Sequence, residues 1–247
     1  MSEESKKYEF TDETIRIGDR VLHRIRALKD FADVKTGDVG GFIESEKNLS
    51  HKMDCWVYDQ AEVYDDAKIY GDAKVYHHAK VFGNAVIAEQ ATVYGYAKVY
   101  GYATVHDYAN VSEDAKVFGY AVVSGYAEIF GHARISDDAF VSDYARVLDE
   151  AEVKGFAKVC GNASIINRAR VFDRARVFDR ATILDDAMVF GHAVVHGEAT
   201  IHDYAMVFDS AEVSGQAKIC SCARVFYESM VRHGELVSGV LAEQMPR

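Results

Sequence analysis

Arginines, histidines, cysteines and acids recur along this chain at intervals of six and eighteen residues, and that spacing decides which of them can meet. Arg168, Arg174 and Arg180 stand six apart, with Arg170 and Arg176 between them. A ring of guanidinium groups is chemistry for phosphate or a phosphorylated ligand. Glu150, Asp173, Asp179, Asp185 and Asp186 share the same stretch and can neutralise such a ring, which favours a solvated charge belt. Asp185 and Asp203 are eighteen apart, in series with Asp149 and Asn167, an oxygen-rich set of the kind that holds a cation. Arg168 lies between Glu150 and Asp186 in the neighbouring series, so a salt-bridged belt accounts for these acids without one. His202 and Cys220 are also eighteen apart, with Cys222 two residues on. Imidazole and thiolate are zinc-type ligands, but no fourth partner completes the set. Cys55, Cys160, Cys220 and Cys222 lack the spacing of a disulfide framework, so reduced thiols are expected. Histidines 77, 78, 106, 132, 192, 196, 202 and 233 are general bases by type, yet none has a neighbour that marks it. No catalytic residue, cofactor or metal is assigned, and the residues lean away from an enzyme without deciding the question, acyl transfer being the activity if there is one.

The element that positions these residues is a repeat. Alanine occupies every sixth position from Ala61 to Ala223, 28 sites without exception, and Val or Ile stands two residues after, in 29 sites from Val57 to Val225. A period of six smears around a 3.6-residue helix. Alanine and valine two apart point to one side of an extended segment, and the residue between them points away. Gly, Asp or Asn two residues after the valine suits a corner with positive φ. Consecutive corners of one hand wind such strands into a coil with an apolar interior, and an interior this narrow favours three strands per turn. The fold class is therefore all-β, a solenoid of roughly ten turns near 50 Å long. Ile43, Leu49 and Cys55 continue the alanine series upstream, and Val231 and Val237 continue the valine series downstream. The expected organisation is a β-rich cap over residues 1–41, a coil over 42–239 and a tail over 240–247.

The pairing of an aliphatic residue with a small residue four positions later, as in Val63 and Ala67, resembles the left-handed parallel β-helix of hexapeptide-repeat proteins. That family commonly has glycine directly after the aliphatic residue, whereas here Tyr or Phe often precedes the glycine, as in Val99-Tyr100-Gly101. Through Leu22-His23-Arg24-Ile25, Gly40-Gly41-Phe42-Ile43 and Cys55-Trp56-Val57-Tyr58-Asp59 the chain more closely resembles the uncharacterised YdcK-type and prophage-encoded hexapeptide proteins. The wider family implies acyltransferases using CoA or acyl-carrier protein, with a loop extruded from the coil and a histidine base between subunits, and metal-dependent carbonic anhydrases. No hexad is interrupted by such a loop here.

With eighteen residues to a turn, outward residues sort into columns on three faces. One face carries Tyr64, Phe82, Tyr100, Phe118, Ser136, Lys154, Phe172, Phe190, Phe208 and Phe226 just after its valines, eight of ten aromatic. Just before those valines stand Lys80, Lys98, Lys116, Arg134, Arg170, Met188 and Met206 among others. Stacked rings covered by lysine stems stabilise any sheet, but an apolar stripe of this length points to an interface. Ser, His, Cys and Ala are expected more often at the matching positions of the other two faces. Tyr108, Tyr126 and Tyr144, and Tyr102 with Tyr120, form corner stacks for which a structural role suffices. One corner series alternates, Asp137, Gly155, Asp173, Gly191, Asp209, which reads as avoidance of stacked like charges.

The net charge of -11 and pI near 5.4 argue against nucleic acid and anionic lipid as partners, and no apolar stretch is long enough for a membrane span. A start of MSEESKKYEF is not a secretory leader. The expectation is a cytoplasmic, noncatalytic structural or protein-binding solenoid, a homo-oligomer or the partner of an unidentified protein. Within it comes a phage-derived protein acting on a host macromolecule. The alternatives are an atypical acyltransferase and a small-anion or metal binder.

Overall fold

The computed structural model describes residues 6–233 and the backbone of Leu236–Val237 and Val240–Leu241. Each hexad makes a two-residue strand, such as Lys98–Val99, followed by a corner. Every third strand pairs in parallel, so Val99 lies beside Val81 and Val117, eighteen residues away on either side. Three sheets of 14, 11 and 10 strands result, wound into about 11 turns. We call the sheet through Val99 the aromatic face, the sheet through Val93 the second face and the sheet through Val105 the third face.

The inward columns fill the interior completely: the alanines of the six-residue series from Ala61 to Ala223 are all 0% exposed, as are the valines and isoleucines two residues after them apart from Ile69 at 1%. Alanine near the corners lets three sheets approach closely, and valine or isoleucine fills the sheet centres. Burying each such side chain contributes about 1.5–3 kcal/mol, and stacking makes every rung depend on its neighbours.

The corner is a left-handed residue, as at Asp173 (φ 58°) and Gly191 (φ 69°). The amide of the following residue donates to the next turn, as Tyr102 N does to Gly119 O at 2.7 Å. The left-handed residue's own amide lies outside this ladder, and where an acid stands one turn below, that acid supplies its acceptor. Asp107 Oδ2 accepts from Gly125 N at 2.8 Å, and Asp173 Oδ2 from Gly191 N at 3.2 Å. The alternating acids are therefore amide acceptors, a need for hydrogen bonding rather than charge avoidance alone.

An antiparallel hairpin closes the first turn. Strand β1 (Tyr8–Ile17) pairs with β2 (Arg20–Ala27), β2 pairs antiparallel with β3 (Val39–Ile43), and β3 runs parallel to Glu62–Val63. The hairpin thus extends the aromatic face beyond the first turn of the coil, covering an edge that would otherwise expose unpaired backbone. Tyr8, Ile25, Ala27, Val34 and Trp56 plug the mouth of the coil, each at most 2% exposed. Lys7 is 1% exposed and its ammonium donates to the Met53 and Cys55 carbonyls at 3.2 and 2.7 Å. Burial lowers its pKa from the ordinary lysine range. Asn48, fully buried, donates to the Asp65 and Ala67 carbonyls at 2.9 Å each.

The first turn corrects one expectation. Ile43 pairs with Val63 and Leu49 bridges Ile69, so both occupy the valine series, not the alanine series. The separation there is twenty residues; it returns to eighteen at Val57 opposite Val75. Ile43 to Leu49 keeps the six-residue step and Leu49 to Val57 spans eight, so the bend over residues 51–54 takes up the difference. At the other end Val240–Leu241 pairs with Arg224–Val225, so a strand falls where the tail was expected, and residues 242–247 lie outside the described residues. No helix among the described residues is long and apolar enough to cross a membrane.

The cap also carries a titratable seam. His51 accepts the Lys7 amide at 3.1 Å on Nδ1 and stacks on Tyr8 at 4.3 Å. Desolvation holds its pKa below 6.5 despite Glu46, with Lys6 and Lys7 acting in the same direction as burial. The unfolded chain therefore takes up the proton first, and the stability of this seam is lost as pH falls below about 6.5. Protection of the Tyr8–Ile17 amides against hydrogen exchange, taken relative to the intrinsic exchange rate at each pH, should fall between about pH 7.5 and 5.5. His51→Asn, which keeps an acceptor but does not titrate, should flatten that response.

Candidate functional site

The alternation of inward and outward residues leaves the aromatic face with two columns in view. Its rings stack at strand spacing in two blocks: Tyr64, Phe82, Tyr100 and Phe118 at 4.9–5.0 Å, then Phe172, Phe190, Phe208 and Phe226 at 4.8–5.1 Å. Ser136 and Lys154 separate the blocks. Cations close the block ends, with Arg20 over Tyr64, Arg134 over Phe118 and Lys154 over Phe172. Ring faces are thus spent on neighbours and cations, and only ring edges face outward. A ligand that needs a flat aromatic platform does not fit; a broad, edge-lined protein surface does.

Tyr64 is removed from that surface. It packs with Leu22, Phe42, Ile15 and Ile17 under the hairpin, and burial pushes its hydroxyl up to about 12. The other stripe aromatics are half-buried. The most exposed rings sit instead at corners, including Tyr96, Tyr120, Tyr144 and Tyr204 at 59–61%.

The cation column divides as well. Lys80 is held by Glu62 at 2.7 Å, and Arg134, Lys154 and Arg170 gather around Glu152 at 3.6–3.9 Å. Lys98 and Lys116, on adjacent rungs, have no acidic partner among the described residues. They floor a shallow groove of about 290 Å³, lined also by His78, Lys80, Tyr96, Asp114 and His132. His78 stacks on Tyr96 at 5.0 Å, and His132 Nδ1 lies 3.9 Å from Asp114 Oδ2. Met188 and Met206 occupy the same column further along, beside Phe190 and Phe208.

The contrast expected with the other faces is only partly present. The second face carries Tyr58, Tyr76, Tyr94, Phe130, Leu148, Ile166 and Leu184 at the matching positions, so it is also apolar there. What distinguishes it is charge: Arg146 is paired with Glu128 at 3.1 Å, and Lys74 and Tyr58 both bond Asp33 of the cap. The third face matches the expectation better, with His106, Ser124, Ser142, Cys160 and Ser214 in that column.

The three arginines read as an anion ring stand at three different corners of the coil and do not converge. Arg168 bonds Asp186 at 2.7 Å and Arg180 bonds Glu198 at 3.2 Å, in each case one turn above. Arg174 lies over the Phe156 ring and shares a small basic groove with Lys158 and Arg176. The stacked acids are held by hydrogen bonds: Asn167 donates its side-chain amide to Asp185, and Asp185 and Asp203 accept the Asp203 and Ser221 amides.

Among the described residues two groups of potential metal ligands converge: His202, Asp203 and Cys220, and Glu89, His106 and Asp107, each with its ligand atoms within 4.8 Å of one another. Stacking of His202 and Cys220 was legible from their spacing; Asp203, turned beside them by its positive φ of 59°, was not placed with them.

No family model matches the chain. Over 60 residues, 24% of this chain, it is 35% identical to the "Uncharacterized acetyltransferase YdcK" of Escherichia coli strain K12. The match spans 18% of that protein's length. The six-residue period and the register of the three sheets make the chain a parallel β-solenoid of hexad repeats, and the partial similarity fits hexapeptide-repeat proteins.

Proposed function

We propose that this chain is a noncatalytic binding scaffold that associates through its aromatic face, with a second copy of itself as occupant. The observation that supports it is Lys98 and Lys116, two like charges on neighbouring rungs beside the ring stacks that form no ion pair among the described residues. Such a pair is unfavourable alone and favourable against an acidic partner surface. The opposite edge of the same face carries the exposed acids Asp137 and Asp138. Two parallel copies related by a two-fold along the coil bring one copy's lysine edge against the other's acidic edge. Buried between those edges, the ring edges of Phe172, Phe190 and Phe208, with Met188 and Met206, supply the apolar centre from which hot-spot energy usually comes. A cytoplasmic setting suits the free cysteines.

Light scattering tests this. The wild type should show a multiple of 27.5 kDa. Replacing Phe190 and Phe208 together with Glu should shift the mass toward the monomer without loss of the β-sheet circular dichroism signal, because both rings point outward. Lys98→Glu with Lys116→Glu should do the same. A monomeric wild type, or an unchanged mass in both double variants, rejects self-association by this face.

A second reading, acyl transfer, draws on the name of the partial relative and on His78 and His132 at the rim of the Lys98 groove. If the face pairs, these histidines lie at a subunit boundary. Calorimetric binding of acetyl-CoA that is lost in His132→Ala would favour this reading over a pure scaffold.

A further inference from the structure

We infer that His202, Asp203 and Cys220 form a binding site for a zinc-class divalent transition metal. The three side chains come from two adjacent rungs of the second face. Ile201 and Ile219 pair in register, so the outward residues that follow them, His202 and Cys220, lie one above the other. Asp203 enters from the corner, and its left-handed backbone turns the carboxylate back toward the imidazole, with Oδ2 3.3 Å from His202 Nδ1. The Ser221 amide donates to the same Oδ2 at 2.8 Å and fixes the carboxylate. All three ligand atoms fall within 4.8 Å of one another, so small side-chain rotations bring them around one ion.

The site is also set apart by what surrounds it. The column leading to it is apolar, Leu148, Ile166 and Leu184, and changes to imidazole and thiol at these two rungs. Cys220 is buried, at 8% exposure, whereas His202 and Asp203 keep solvent access, which leaves room for water to complete a tetrahedron. One nitrogen, one oxygen and one sulfur ligand select zinc, cobalt or a similar borderline ion over magnesium or calcium. Binding replaces the thiol proton: the Cys220 S–H bond is exchanged for a metal–sulfur bond and one proton is released to solvent. The second group, Glu89, His106 and Asp107, has no sulfur ligand. Its carboxylates accept corner amides just as Asp203 does, Glu89 from Asp107 and Asp107 from Gly125, so the thiolate ligand is what sets the first group apart.

Cobalt(II) titration of the reduced full-length protein tests this. One equivalent should bring up a near-ultraviolet thiolate-to-cobalt charge-transfer band together with visible bands of tetrahedral intensity, and zinc should remove both. Cys220→Ser should abolish the charge-transfer band, while Cys160→Ser and Cys222→Ser keep it. His202→Ala should weaken cobalt binding by more than the roughly 10–100-fold that an outer-sphere partner carries. Circular dichroism of each variant checks that the coil is intact. No charge-transfer band in the wild type, or a band that survives Cys220→Ser, overturns the assignment. The outcome is independent of the aromatic face, so failure here leaves the association reading standing.

Discussion

Val117→Asp is expected to cost about 4 kcal/mol or more, the range reached when a charge is left unpaired in a dry interior. Val117 is 0% exposed, paired in register with Val99 below and Ile135 above. Every group facing it in the coil interior is an alanine, valine or isoleucine, so the carboxylate finds neither a cation nor a donor there. Because each turn rests on its neighbours, the damage should spread through the middle of the coil instead of remaining at one rung. Thermal melting by circular dichroism measures it: a midpoint lower by roughly 10 °C or more, or two transitions in place of one. An unchanged melt would mean that Val117 does not face inward. Thr104→Asp, at an outward position of the third face, serves as the control and should change the midpoint little.

Gly41→Val should detach the cap, at a cost of about 3 kcal/mol. A Cβ at Gly41 would lie 2.6 Å from the Ala61 carbonyl oxygen, 2.7 Å from Val57 Cγ1 and 2.9 Å from the Tyr58 carbonyl oxygen. Two of these are backbone atoms of the first turn and have nowhere to move. Gly40 is equally confined, 2.6 Å from the Val57 carbonyl oxygen and 2.8 Å from Trp56 Cζ2. The pair is needed because β3 crosses the mouth of the coil in contact with it, not because a turn requires unusual dihedrals. The expected signature is local: Trp56, 1% exposed, should shift its fluorescence toward that of a solvated indole while the circular dichroism of the coil persists. Wild-type emission from the variant would show that the first turn yields to the added side chain.

The two variants probe different kinds of information. The inward face of Val117 is written in the sequence many times over, because a strict period of six gives every alanine and valine the same environment, and translation by eighteen residues then fixes its neighbours. Columns, faces and stacked rings follow from that arithmetic, which is why the Phe172 to Phe226 stack and the Lys80, Lys98, Lys116 series are where the spacing puts them. The Arg168–Asp186 pair follows in the same way.

Where the period lapses, the residue order stops specifying contacts. Ile43 and Leu49 fit either inward series, and the choice fell to the pairing of β3 with Glu62–Val63 and to two extra residues in the first turn. The hairpin that covers Tyr64 and the confinement of Gly41 depend on that docking, and no local pattern encodes it. Side-chain direction at the corners is the other quantity that only the three-dimensional arrangement sets. The corner acids were legible as charges, but not as acceptors for the one amide per hexad outside the ladder, as between Asp173 and Gly191. Asp203 differs in that its carboxylate also turns toward His202 and Cys220. A repeat determines which residues are neighbours because stacking is a translation along one axis; it does not determine how polar side chains share donors and acceptors, which depends on φ, rotamer and reach at each corner.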